Sequence, residues 1–141
     1  MKKCILLLLL LCSIFFFNCS DSDDETQFFF ERVPIESVEL PEQLIRDKEV
    51  TLKVLYQRPS DCHSFNNFDY ETNANQRTVT VINIVVESDS ICKGLSEKDI
   101  VELPLNFVAG NENSYVFKFW IGQNEEGEDT FETIEIPVVK E

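Results

Sequence analysis

The sequence predicts an all-β protein: an immunoglobulin-like antiparallel β-sandwich of about seven strands, set behind a signal peptide and a short acidic tether. Three observations predict it. Beyond residue 30, apolar residues recur with a period of two rather than 3.6. Clusters of Asn, Gly, Asp and Glu punctuate those runs at short intervals. No segment there carries a convincing helical stripe, and the longest candidate, Ser96 to Val101, is too short to stand as a helix.

The strands can be placed in order. Val33-Pro34-Ile35 and Val38-Glu39-Leu40 mark a first strand; Pro34 and Pro41 suit it to an edge, because proline cannot donate to a ladder. Val50, Leu52, Val54 and Tyr56 alternate with Thr51, Lys53, Leu55 and Gln57, a half-buried pattern. A shorter strand is expected from His63 to Tyr70. Thr78 to Val86 is β-branched except at Asn83, so it reads as a central strand covered on both faces for part of its length. Ile100 to Phe107 contains Pro104 and is expected at an edge. Tyr115, Phe117, Phe119 and Ile121 alternate with Val116, Lys118 and Trp120. Ile134, Ile136 and Val138 form the last strand. Asn73 to Gln76, Gly110 to Asn113 and Gln123 to Asp129 read as tight connections, the last two as hairpin loops. Trp120 follows both downstream cysteines instead of lying between them, so the antibody spacing is absent and the expectation is of architecture alone.

The first residues read MKKCILLLLLLCSIFFFNC. Lys2 and Lys3 form a charged start, and Ile5 to Phe17 is a run of 13 residues, apolar but for Ser13. That is the length of a secretory signal core, and short of the ~20 apolar residues a membrane-spanning helix needs. Acidic sequence begins at once with Ser20-Asp21-Ser22-Asp23-Asp24-Glu25. A cysteine at the end of such a core resembles a lipobox, with Phe16, Phe17 and Asn18 standing where Leu and small residues are usual. The resemblance implies cleavage before Cys19 and fatty acylation of its thiol. Expected segments are therefore a signal peptide over 1–18, an acidic tether over 19–30 and a β-sandwich over 31–141. Each buried CH₂ contributes about 0.8 kcal/mol, and two or three acyl chains hold stably where one holds marginally. Phenylalanine-rich leaders ending in Asn-Cys, followed by an acidic stretch, are similar to those of Bacteroidetes lipoproteins. The likeness implies outer-membrane anchoring, at the cell surface or on the periplasmic face.

Of the five cysteines, Cys4 and Cys12 leave with the leader and Cys19 takes the lipid. Cys62 and Cys92 remain. In an exported, oxidising setting an even pair reads as a disulfide. It closes a loop of 31 residues, for which chain entropy gives about 3–4 kcal/mol. A metal site is the weaker reading, since His63 neighbours Cys62 and adjacent strand residues point to opposite faces. The acidic tether, the β-domain and the segments Pro59 to Phe65 and Ser90-Ile91-Cys92 together resemble a group of small Bacteroidetes lipoproteins of unsettled activity. That resemblance implies no catalytic residues.

Charge excludes one class of partner. There are 26 acidic and 12 basic residues, net −14; losing Lys2 and Lys3 leaves 10 basic residues and net −16. Nucleic-acid binding draws on basic residues to displace counterions, and this field is opposite. Other candidate sites are few. His63 is the sole histidine, so a Ser-His-Asp triad would have to use it; Ser60, Asp61 and Ser64 are close only in sequence, and His63 reads as a polar loop residue beside the disulfide. Glu125, Glu126, Glu128 and Asp129 do not follow the alternating calcium-loop pattern. Trp120 is a candidate binding anchor if its face is solvent-exposed. Ser90, in Asp89-Ser90-Ile91, resembles a Bacteroidetes O-glycosylation acceptor. Phe28-Phe29-Phe30 begins the first strand, packs over the sandwich end, or forms an adhesive patch near the membrane. No metal or cofactor is expected. The chain is expected to be a non-enzymatic binding or accessory module of the envelope, with an unidentified protein or glycan as partner. The alternatives are an assembly subunit using a free edge strand and a glycan-binding surface module.

Overall fold

The structure, a computed structural model, describes residues 27–87, 92–95 and 99–140. The leader, Cys19 and the Asp89-Ser90-Ile91 motif lie outside the described residues. The fold is an all-β sandwich of two packed sheets, as the period-two pattern predicts, but with nine strands. They are β1 (Gln27–Val33), β2 (Ile35–Glu39), β3 (Leu44–Ile45), β4 (Glu49–Gln57), β5 (His63–Asn73), β6 (Gln76–Glu87), β7 (Ile100–Val108), β8 (Ser114–Gln123) and β9 (Asp129–Val139). One sheet has three strands in the order β2-β4-β7. The other has six, running β1-β6-β8-β9-β3 with β5 also on β6.

The β-branched run is indeed central. β6 pairs antiparallel with β5 along one side. On its other side it pairs antiparallel with β1 over Val81–Glu87 and parallel with β8 over Gln76–Val79. β3 also pairs parallel, with β9. These parallel contacts depart from the purely antiparallel expectation, because strands distant in sequence are brought together by crossovers between the sheets.

Several expectations need correction. The first strand is two strands. Pro34 supplies no N–H, and the chain leaves the six-stranded sheet there to enter the three-stranded one. The tether does not run to residue 30, because Phe28, Phe29 and Phe30 pair with β6 inside β1. Gly110 to Asn113 is no hairpin; it crosses from β7 in one sheet to β8 in the other. The Tyr115 hydroxyl accepts the Gly110 N–H at 2.9 Å and holds that crossing. The β5–β6 turn at Ala74-Asn75 and the β8–β9 hairpin are where the sequence puts them.

The core lies between the sheets. Leu52, Val54 and Tyr56 of β4 meet Val79 and Val81 of β6 and Tyr115, Phe117 and Phe119 of β8. Phe107 packs edge-on against Tyr115 and Phe117, with centroids 4.8 and 5.1 Å apart. Each such buried side chain contributes about 1.5–3 kcal/mol relative to exposure. A bulge between Trp120 and Gly122 breaks the β8 alternation, so Ile121 leaves the core face and is 42% exposed.

Candidate functional site: the outer face of β1 and β6

On β6 the odd-numbered residues Val79, Val81, Asn83 and Val85 point inward and are buried. Period two therefore turns Ile82, Ile84 and Val86 outward. Direct cross-strand partners share a face, and β1 sets Phe28 opposite Val86, Phe30 opposite Ile84 and Arg32 opposite Ile82. Phe28 is 60% exposed, Phe30 57% and Val86 37%. The two rings meet edge to face at 5.9 Å. A contiguous apolar surface thus begins one residue after the start of β1.

Farther along the same face the chemistry changes. The Arg32 guanidinium lies 4.5 Å above the Trp120 ring and forks onto Asp129 at 2.8 and 3.1 Å. Trp120 Nε1–H and the Gln123 amide each donate to Asp129 Oδ1 at 3.0 Å. The Arg32, Gln123 and Trp120 hydrogen bonds hold the Asp129 carboxyl at about 2, below its ordinary 3.8. Trp120 does occupy the outer face, but it is only 6% exposed beneath Arg32. It has no free ring face for a ligand. The exposed aromatics of this face are Phe28 and Phe30, at the start of the first strand.

Cys62, in the turn before β5, and Cys92 are joined, with Cα atoms 5.5 Å apart. Asp61 N–H donates to the Lys93 carbonyl at 3.1 Å, and Lys93 N–H to Asp61 Oδ1 at 2.8 Å. Beside this bridge stands a chain of three side chains. Ser60 Oγ is 2.7 Å from His63 Nδ1, and His63 Nε2 is 2.7 Å from Glu31 Oε2. A neutral ring donating from Nε2 to the carboxylate leaves Nδ1 to accept the serine proton. Ser60 Oγ in turn accepts the Cys62 N–H at 3.2 Å. The set resembles a nucleophile–base–acid relay in order. Ser60 is 7% exposed, however, and its hydroxyl is committed on both sides. The His63–Glu31 contact ties β5 to β1 across β6, where Asn83 and Val85 are buried. Ser60 and His63 are neighbours in the sequence, but Glu31 is not. A carboxylate 32 residues from the histidine carries no local signal, and only the β1–β6–β5 register brings it there.

Asn83 is 0% exposed and sits by Tyr56. The two interact enough to offset part of the rise that burial imposes on the Tyr56 phenol. Neither Asn83 Nδ2 nor Oδ1 reaches hydrogen-bond geometry, so the contact is a weak one. A cleft of about 440 Å³ opens at the β1–β2 corner, lined by Val33, Pro34, Ile35, Glu36, Gln57, Pro59 and Ile121. Ser60, His63 and Glu31 do not line it. In the acidic hairpin, Asn124 Oδ1 accepts the Glu126 and Glu128 N–H groups at 3.0 and 2.9 Å, which organises the turn. Among the described residues no group of three or more His, Cys, Asp or Glu is placed to hold a metal, and no helix is long and apolar enough to cross a membrane.

Comparison with protein-family models, with curated proteins and with solved structures finds no match to this chain.

Proposed function

We propose that this chain is a lipid-anchored, non-catalytic binding module of the cell envelope, held to the outer membrane through Cys19. The observation that carries the reading is the outer face of β1 and β6. Phe28 and Phe30 stand exposed there on the strand that directly follows the acidic stretch, beside the exposed Val86 of β6. Exposed apolar surface of this kind marks an interaction site more often than a neutral surface does. An anchor at Cys19 lies eight residues before Gln27, a reach of at most about 28 Å, so this face works close to the bilayer.

Two measurements test the reading. Palmitate labelling and membrane fractionation are expected to mark the wild-type chain and not Cys19→Ala. Hydrogen exchange on the full chain in native membranes, set against detergent solution, is expected to show added protection in β1 and little change in β7. Unlabelled wild type removes the anchor; equal exchange of β1 in both settings removes the binding face.

The Ser60–His63–Glu31 chain favours a second reading, a serine hydrolase. The committed hydroxyl and the low exposure of Ser60 weigh against it.

A further inference from the structure

We infer that β1 is a self-pairing edge, through which two copies of this chain join antiparallel about a two-fold axis at Phe29. The inference deepens the binding-face reading above and rests on it, naming a second copy as the partner.

Edge protection singles out β1. Sheet edges are normally blunted by charge, proline or a bulge. β5 has a bulge between Phe65 and Asn67 and carries Asp69 and Glu71. β7 contains Pro104. β2 has a bulge between Ile35 and Ser37 and carries Glu36 and Glu39. Among the described residues β1 pairs with β6 alone, and from Gln27 to Phe30 it carries none of these devices. It shows instead three phenylalanines, 45–60% exposed, on its two faces.

The local sequence fits its own reversal. Gln27-Phe28-Phe29-Phe30-Glu31 is symmetric about Phe29 in everything but the amide and carboxylate at its ends. Two-fold antiparallel pairing sets Phe29 against Phe29 of the second copy, Phe28 against Phe30, and Gln27 against Glu31. Such an interface is isologous and closes at two chains. No like charges face each other, since an amide meets each carboxylate. His63 occupies Oε2 of Glu31, and the second copy's Gln27 amide meets the other oxygen.

The area argues for a contact that needs confinement. Half-exposed phenylalanines offer roughly 100 Å² each, so six rings bury about 600 Å² in all, below the ~1,200 Å² of stable dimers. The net charge of −14 also opposes association in dilute solution. Anchoring both copies to one surface raises their effective concentration and favours pairing without new contacts.

The test uses the full chain in its native membranes, with p-benzoylphenylalanine at position 29 and, as control, at Tyr70 on β5. Irradiation is expected to give a covalent homodimer from position 29, several-fold above the control, with the crosslink mapping to β1 of the other copy. The yield rises with added salt as repulsion is screened. Phe28→Asp with Phe30→Asp abolishes it, because carboxylates then face each other twice. Phe28→Asp with Phe30→Lys restores it, because each facing pair is then an ion pair. A crosslink from position 29 only to lipid, only to a different protein, or not above the Tyr70 control overturns the proposal. So does a Phe28→Asp/Phe30→Lys variant that behaves like the double aspartate. The same crosslink repeated in concentrated detergent solution separates this failure from a failure of the anchor, which palmitate labelling of Cys19 reports on its own.

Discussion

Arg32 covers Trp120: the guanidinium stands 4.5 Å over the indole, and both groups bond to the Asp129 carboxylate. A strand near the start of the domain is thereby locked to the β8–β9 hairpin near its end. Trp120 is the only tryptophan, so its fluorescence reports this lid. Arg32→Ala is expected to shift the emission to longer wavelength while leaving the β-sheet circular dichroism unchanged. Trp120→Ala should cost about 3–5 kcal/mol in urea denaturation, the range for emptying a buried aromatic site. A cost below ~1 kcal/mol would show that the indole contributes surface, not packing.

Asp129 also gives this cluster a pH dependence with a definite sign. Its folded pKa, about 2, is depressed from 3.8. The unfolded chain therefore binds the proton first, and the stabilising contribution is complete above the unfolded value. It is lost as the pH falls through the interval down to about 2. The urea midpoint is expected to fall over that interval in the wild type and to fall less steeply in Asp129→Asn. Identical acid limbs for the two proteins would contradict the assignment.

The Cys62–Cys92 bridge has a sequence separation of 30 and pins the 92–95 stretch to the turn before β5. The double variant Cys62→Ser/Cys92→Ser is expected to lose about 3–4 kcal/mol by the loop-entropy relation. Reductant added to the wild type should produce the same change in midpoint, and none in the double variant.

Asn83 and Tyr56 form a weak polar contact inside the core. Replacing both groups with apolar ones of similar shape removes two desolvation costs at once. Asn83→Leu/Tyr56→Phe is expected to gain about 1 kcal/mol, while Tyr56→Phe alone changes stability little or lowers it. A double variant less stable than wild type would mean that the contact is stronger than its geometry indicates.

A fluorophosphonate probe applied to the full chain is expected to leave Ser60 unlabelled, because the residue is buried and its Oγ already accepts the Cys62 N–H. His63→Gln should lower stability with no associated loss of hydrolytic turnover. Probe adduct on Ser60, absent in His63→Gln, would instead establish the hydrolase reading.

Local patterning carried most of the strand positions. Thr78 to Val86 announced a buried central strand, and Tyr115, Phe117 and Phe119 announced a core face. The two-residue β3 was not legible, since Leu44-Ile45 becomes a strand only by pairing with Val138 and Val139 of β9. Phe28 to Phe30 left three placements open, because three identical residues show no alternation. The Ile121 expectation failed at a bulge, which inserts a residue without changing the apolar run that surrounds it.

The sequence by itself determined the class of the fold, the strand that lies at its centre and the two cysteines that pair. Each follows from short-range alternation, β-branching or a simple count of thiols. The tertiary structure alone decided that Glu31 reaches His63, that Arg32 roofs Trp120 and that Phe28 and Phe30 stay exposed. Those outcomes depend on register between strands far apart in the chain, where a shift of one residue turns every side chain to the opposite face.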